Sequence, residues 1–348
     1  MIELEPSVPS GRPPGPATLV DSRASVVPAM SAAVRRLAPE VRPVVEHHLG
    51  WIDGDGRVAS GRGEGKALRA TLALLSAEAA GAQSAVALPG AVAVELVHNF
   101  SLLHDDVMDG DRERRHRAAA WVQFGVGAAI CAGDALLALA HEVLVDRPGD
   151  ERRRASLALS KATGAMIAGQ GQDLALERRV DTSVAQYLSM AAAKTGALLG
   201  CSASIGALLA GAGHGAVAAL TRFGCRLGLA FQITDDILGV WGRPEVTGKP
   251  VGSDIRAGKA SLPIVLALGS ERPEGAKLRR VLAGGVRDDK AVTRATALID
   301  SSGARQLAGD EAARQLSGAL ECLDTITVPD AVRARLVELA DFVVEREV

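Results

Sequence analysis

The protein has 348 residues and a formal net charge of −2, so it lacks the basic excess that marks most nucleic-acid-binding proteins. Hydrophobic residues make up 48% of the chain and aromatic residues only 3%, a balance that favours helices over sheets. The absence of about 18 uninterrupted apolar residues predicts no transmembrane span, and four scattered cysteines predict a reducing, cytoplasmic location.

The N-terminal segment differs in composition from the rest of the chain. Five prolines fall between Pro6 and Pro16, with glycine and serine among them, and no basic region typical of a signal peptide precedes them. This composition predicts a disordered extension over residues 1–28 that is dispensable for catalysis, with docking to another protein as the less favoured alternative.

Helical patterning begins near Met30 and continues to the C-terminus. Long runs of alanine, leucine and valine are broken by short polar or glycine-rich segments, and no strand-like alternation appears. The sequence therefore predicts one all-α domain over residues 29–348, with ten or more helices packed around a central apolar cavity.

A cluster of three carboxylates follows the apolar run that contains Val92, Leu96 and Val97. On a helix, Asp105 and Asp109 lie four residues apart and share a face, with Asp106 beside them. Such a cluster can simply mark a solvated helix end. It can also hold Mg²⁺, which binds one or two carboxylates together with the phosphates of a substrate.

A second acid pair, Asp235 and Asp236, again ends an apolar helical stretch. Basic residues lie at predicted loops and helix ends around the two clusters: Lys66, Arg69, Arg114, Arg115, Lys194, Lys249 and Lys259. Two acid clusters, spaced cations and an apolar core together predict a pocket for magnesium-bound diphosphates with apolar tails.

The order of these motifs resembles that of the trans-isoprenyl diphosphate synthase (polyprenyl synthetase) family, over roughly residues 30–346. The matching segments are 65–69, 105–115, 132–138, 169–174, 194–196, 231–236, 248–254 and 258–263. The departures are Ala67 and Ala70 in the first segment, residues 116–119 after the arginine pair, and Gly239, which replaces the last aspartate of the second acidic motif. At the position of Ala70, the family commonly has proline.

The resemblance implies a role for each matched residue. The metal ligands would be Asp105, Asp109 and Asp235, supported by Asp106 and Asp236. The allylic diphosphate would be bound by Arg114, Lys194, Lys249 and Lys259, and the diphosphate of isopentenyl diphosphate by Lys66, Arg69, His98 and Arg115. The dipoles of Thr195 and Gln232 would stabilise an allylic cation.

The resemblance also implies an activity: Mg²⁺-dependent head-to-tail condensation of isopentenyl diphosphate with allylic diphosphates, by a homodimer, with Mn²⁺ as a substitute metal. Two alternatives are a class I terpene cyclase and a non-catalytic regulatory subunit. Lys66, Arg69 and His98 argue against the cyclase, which needs no second diphosphate site. The retained aspartates argue against the regulatory subunit.

Product length is predicted from Phe100, five residues before Asp105 and thus about 7–8 Å away along a helix. In the family, an aromatic residue at this position limits elongation, and the neighbouring Ser101 is small. These two residues favour geranylgeranyl diphosphate, then farnesyl diphosphate, then longer chains.

Overall fold

A computed structural model describes residues 16–58, 67–115, 117–177, 179–243, 250–286 and 288–344, so Lys66 and Lys249 lie outside the described residues. The α-helices are α1 (Ala17–Val34), α2 (Arg42–Leu49), α3 (Leu68–Ala79), α4 (Leu88–Asp109), α5 (Ala120–Phe124), α6 (Val126–Val145), α7 (Asp150–Leu176), α8 (Val184–Ala191), α9 (Ala197–Leu209), α10 (His214–Trp241), α11 (Ser253–Ala257), α12 (Leu262–Leu268), α13 (Pro273–Ala283), α14 (Asp289–Ser301), α15 (Ala304–Asp324) and α16 (Asp330–Val344). A 3₁₀ helix spans Ser84–Ala87 and a π-helix spans Ala192–Gly196. The short antiparallel strands β1 (Glu113–Arg114) and β2 (Arg117–Ala118) form a two-stranded sheet. The predicted all-α class is confirmed.

The N-terminal boundary differs from the prediction. Helix α1 begins at Ala17, inside the segment predicted to be disordered, and it packs on α3 and α4. Its buried Leu19, Val26 and Met30 follow helical spacing, which outweighs the proline-rich composition before it. The prediction of disorder over residues 1–28 is therefore wrong from Ala17 onward, and residues 1–15 lie outside the described part of the chain.

The two helices that carry the acid clusters are held by a common partner. Helix α9 is buried along most of its length and contacts both α4 and α10. Helix α4 also packs on α6 and α3, and α10 packs on α15. Both acid clusters therefore project from helices that are anchored in the hydrophobic core.

A glycine seam, formed by Gly196, Gly200, Gly224 and Gly228, lets α9 and the π-helix approach α10 closely. A Cβ atom at Gly224 would lie 2.4 Å from the Leu199 carbonyl oxygen, and one at Gly228 would lie 2.7 Å from Gly196 Cα. Real Cβ atoms do not approach backbone this closely, so the packing requires glycine at these positions. The seam fixes the π-helix against α10.

Among the described residues, three helical stretches are long and apolar enough to cross a membrane by length and composition: Ser84–Asp109, Val126–Val145 and Val184–Leu209. Within the fold, 61%, 39% and 72% of their most apolar windows are buried, respectively. The sequence prediction of no transmembrane span rested on uninterrupted apolar runs, and window hydropathy does not support it.

Candidate active site

The first acid cluster lies at the C-terminal end of α4, which stops at Gly110 in a left-handed conformation with φ 67°. Asp106 is only 1% exposed and accepts a hydrogen bond from Arg114 Nε at 2.8 Å. Burial raises the pKa of Asp106, and the hydrogen bond and charge of Arg114 oppose that rise. Asp106 therefore ties the β1–β2 hairpin to α4.

Asp105 and Asp109 face two cations from distant parts of the chain: Lys194 on the π-helix and Lys259 just before α12. Burial raises the pKa of Asp105 to about 6, with further effects from the charges of Lys194 and Asp109. Asp109 Oδ2 lies 3.5 Å from Lys259 Nζ, across 150 residues of sequence. The structure thus brings together Asp105, Asp109, Lys194 and Lys259, four of the residues proposed for the site from the sequence.

Asp173 on α7 also belongs to this group, although the sequence analysis gave it no role. Its Oδ2 lies 2.5 Å from Lys194 Nζ, and its charge contributes to a raised pKa at Lys259. Asp173 lies within the matched segment 169–174. Its contact with Lys194 places its carboxylate beside the other acidic and basic residues of the site.

The second acid cluster lies near the C-terminal end of α10. Asp236 is 6% exposed and accepts hydrogen bonds from Gln232 Nε2 at 2.9 Å and from the Leu262 backbone N–H at 2.8 Å. Thr195 donates its hydroxyl proton to Gln232 Oε1 at 2.6 Å. Residues Thr195, Gln232 and Asp236 therefore form one chain of hydrogen bonds that connects the π-helix to α12.

Gly239 leaves room for a carboxylate from another helix. A Cβ atom at this position would lie only 2.2 Å from Asp254 Oδ2, so the Asp254 side chain fills the space beside the glycine. Asp254 on α11 also raises the pKa of Asp236, after the larger effect of burial. The aspartate missing from the second motif is thus matched in space by Asp254, which the sequence analysis did not identify as a site residue.

The buried Asp236 predicts how stability depends on pH. Burial and Asp254 raise its pKa from the usual 3.8 to about 7, so between these values the folded protein holds a proton that the unfolded chain releases. This contribution to stability is present at low pH and is lost as the pH rises through 7. In EDTA, lowering the pH from 8 to 6 should raise the free energy of unfolding by about 1 kcal/mol through this group. Urea titrations at both pH values would measure it, and an undiminished difference in Asp236→Asn would contradict the assignment.

Three residues predicted to bind isopentenyl diphosphate also lie together. The pKa of His98 is lowered by burial and by the charges of Arg69 and Arg115. The buried Glu95, which the sequence analysis did not consider, faces the same two arginines and accepts a hydrogen bond from the Ala70 N–H at 3.0 Å. A proline at position 70 has no N–H, so the departure at Ala70 supplies this bond. Glu95 therefore connects the start of α3 to the basic cluster.

The carboxylates fit a hard divalent cation. They are Asp105, Asp106, Asp109, Asp173, Asp235, Asp236 and Asp254. Three of them pair with the cations Arg114, Lys194 and Lys259. No group of three His, Cys, Asp or Glu side chains within the described residues is close enough to hold a metal alone. Mg²⁺ does not need such a group, because it keeps waters and shares substrate phosphates.

Phe100 packs sideways toward α6. Its ring is 6% exposed and lies edge-on against His104, with centroids 4.8 Å apart. His104 Nε2 lies 3.2 Å from the Ile130 carbonyl oxygen, and a Cβ atom at Gly133 would approach that nitrogen to 2.3 Å. Gly133 therefore admits the His104 ring, which buttresses Phe100. Ser101 donates its hydroxyl proton to the His98 carbonyl oxygen at 2.8 Å.

Comparison with known proteins yields consistent similarities. A family model described as Polyprenyl synthetase matches residues 60–299. A (2E,6E)-farnesyl diphosphate synthase of Mycobacterium tuberculosis is 44% identical over 92% of this chain and 90% of its own length. A geranylgeranyl diphosphate synthase of the same species is 41% identical over 96% and 94%.

Solved structures give the same result. A polyprenyl synthetase from Streptomyces coelicolor A3(2) superposes with a TM-score of 0.90 at 47% identity, covering 94% of this chain and 99% of that one. A geranylgeranyl pyrophosphate synthase from Corynebacterium glutamicum, complexed with isoprenyl diphosphate and magnesium, has a TM-score of 0.80 at 28% identity, covering 95% and 99%.

Proposed function

Since this chain belongs to the polyprenyl synthetase family and is a prenyltransferase that elongates chains head to tail, we propose that it converts isopentenyl diphosphate and allylic primers to geranylgeranyl diphosphate. The main support is the presence of two clusters of charged residues that would each suit a diphosphate. One combines the carboxylates with Lys194 and Lys259, and the other combines Arg69, His98 and Arg115. A condensation of two diphosphates needs both.

Mg²⁺, which Mn²⁺ can replace, would be held by Asp105, Asp109 and Asp235 and would offset the negative charge that grows on the departing diphosphate. A solved relative binds isoprenyl diphosphate and magnesium together. The allylic diphosphate would be oriented by Arg114, Lys194 and Lys259, with Lys249 outside the described residues.

The chain's own side chains account for the remaining steps. Lys194 and Lys259 neutralise the diphosphate as its C–O bond breaks, and the dipoles of Thr195 and Gln232 face the allylic cation. The double bond of isopentenyl diphosphate then forms the new C–C bond, and a proton leaves the adjacent carbon for the released diphosphate. Apolar helices around the site exclude water, which would otherwise capture the cation.

An assay with labelled isopentenyl diphosphate and five-, ten- and fifteen-carbon allylic primers tests this function. We expect each primer to be extended, with a twenty-carbon alcohol recovered after dephosphorylation. Hydrocarbon release from an allylic diphosphate alone would instead indicate a terpene cyclase. No turnover with any primer would favour a regulatory subunit.

The proposed product depends on Phe100 and Ser101, because relatives that make either fifteen- or twenty-carbon products are similarly close. Phe100→Ala should shift the products to chains longer than twenty carbons, since removal of the ring opens space beside α6. Chromatography of the dephosphorylated products measures the shift. Phe223→Ala, which removes a buried ring from a different hydrophobic cluster, is the control and should reduce stability without lengthening the product. An unchanged distribution in Phe100→Ala would place the limit elsewhere.

We also propose a homodimer. Large apolar side chains on α6 and α7 are exposed, namely Val126, Ile130, Val145, Leu157, Ile167 and Leu174. An apolar surface of this kind is typical of an interface, and a second copy of the chain would cover it. Light scattering should give twice the monomer mass of 35.9 kDa, and a monomer at working concentration would contradict the proposal.

The proposed location is cytoplasmic. Cys131, Cys201, Cys225 and Cys322 are all free thiols, which is typical of a reducing compartment. Cell fractionation tests this, and recovery with the membrane fraction would contradict it.

A further inference from the structure

A small basic pocket lies between α2 and the β1–β2 hairpin. Its cavity volume is about 10 Å³, which is room for one water-sized group such as a single diphosphate oxygen. It is lined by His47, His48, Arg114, Arg115, Arg117 and Ala118–Ala120. Three of these side chains are guanidinium groups, two are imidazoles, and none is a carboxylate. A pocket with this lining attracts an anion.

His48 is the residue in this pocket whose hydrogen bonding is incomplete. It is 7% exposed, and its Nε2 has no hydrogen bond of good geometry within the described residues. The neighbouring Asn99 acts on the ring as a hydrogen-bonding side chain, but its Oδ1 also has no hydrogen bond of good geometry within the described residues. A buried polar atom without a partner is rare in proteins and indicates a missing partner.

His47, the preceding residue, provides a contrast. Its Nε2 lies 3.0 Å from the Ala118 carbonyl oxygen, and its Nδ1 lies 3.3 Å from Arg117 Nη2. His47 therefore holds α2 against the hairpin. The adjacent His48 makes neither of these two contacts, and its Nε2 is the ring atom left without a bond of good geometry among the described residues.

The charges around His48 keep its ring neutral. Its pKa is lowered to about 3, chiefly by burial and then by the charges of Arg115 and Arg114. A neutral imidazole still carries one N–H donor. It can therefore bind an oxyanion without adding a further positive charge to a crowded arginine cluster.

His48 also borders the residues assigned to isopentenyl diphosphate. Its charge state affects the pKa of His98, alongside Arg69, Arg115 and Arg114. Asn99, which contacts the His48 ring, directly follows His98 on α4. Arg115 therefore lines the pocket and also belongs to the residues whose charges lower the pKa of His98.

We propose that His48 is a further binding residue for isopentenyl diphosphate, donating its ring N–H to a diphosphate oxygen in the pocket between α2 and the hairpin. This proposal rests on the proposed function, and it extends the second diphosphate site to a helix that carries none of the matched motifs.

The test is steady-state kinetics of His48→Ala and His48→Gln, with each substrate varied in turn. Loss of one hydrogen bond to a charged oxygen should raise the KM for isopentenyl diphosphate about tenfold or more in His48→Ala. The KM for farnesyl diphosphate should stay within about twofold. His48→Gln keeps an N–H donor and should recover much of the lost affinity. The control is His141→Ala, since His141 is bonded to Ser156 on α7 and does not line the pocket.

Calorimetric titration of isopentenyl diphosphate and of inorganic diphosphate separates the two sources of the anion. Weaker binding of isopentenyl diphosphate to His48→Ala supports the proposal. An effect on inorganic diphosphate alone would assign the pocket to the released product and overturn it, as would equal changes in both substrate KM values. If the wild-type enzyme does not use isopentenyl diphosphate at all, the proposed function fails, whatever the variants do.

Discussion

Replacement of Asp105 by asparagine should lower kcat by about 10³-fold, because the side chain keeps its shape but loses the charge that would hold a divalent cation. The stability of the fold should change in the opposite direction or not at all. Burial raises the pKa of Asp105 to about 6, which means that its charge is unfavourable in the folded protein. The free energy of unfolding in EDTA at pH 8 should therefore be unchanged or higher in Asp105→Asn.

Activity, circular dichroism and urea titration of the same preparation test this prediction. Asp235→Asn should behave similarly in activity, because Asp235 lies on the opposite acid cluster. Asp150→Asn is a suitable control, since Asp150 is exposed at the start of α7 and pairs with the exposed Arg153 one helical turn away. Near-normal turnover in Asp105→Asn would exclude a metal-binding role for this carboxylate.

Replacement of Gly169 by alanine should also lower activity strongly, although Gly169 carries no chemical group. A Cβ atom there would lie 2.2 Å from the Lys194 backbone nitrogen and 2.6 Å from Lys194 Cα. The π-helix would have to move away from α7, and Lys194 would move with it. A displacement of about 1 Å at a residue that positions substrate can reduce the rate about 100-fold. Overpacking should also destabilise the fold by about 1–3 kcal/mol.

Gly171, on the same helix, gives a matched control. A Cβ atom at Gly171 meets nothing within 4 Å, so Gly171→Ala should be active and at least as stable as the wild type. If both alanine variants were equally active, the close contact between α7 and the π-helix would not matter for catalysis. Kinetics should show the larger effect on the allylic substrate, since Lys194 faces Asp105 and Asp173.

Local patterns explain what the sequence could predict. The absence of alternation and the long alanine- and leucine-rich runs led to the all-α class. Helical spacing placed Asp105 and Asp109 on one face, and the structure has both of them turned toward Lys194 and Lys259. The sequence could therefore predict those residues whose role follows from a motif on their own helix.

Contacts between distant segments explain what was missed. Asp254 reaches Gly239 from another helix, and His48 lies on a helix without a motif. Glu95 on α4 faces Arg69 on α3 and Arg115 in the β1–β2 turn. No local signal in the sequence encodes these distances. The start of α1 was missed for a different reason, because proline content before Ala17 masked the helical spacing of the apolar residues after it.

The glycine seam between α9, the π-helix and α10 has a consequence for redesign of this enzyme. Because backbone touches backbone there, the geometry that relates Thr195 to Gln232 has almost no freedom to adjust. The wall formed by Phe100 and His104 consists instead of side chains, which can be exchanged one at a time. Libraries that alter chain length should therefore tolerate many substitutions on α4 and α6, and they should leave the four seam glycines constant.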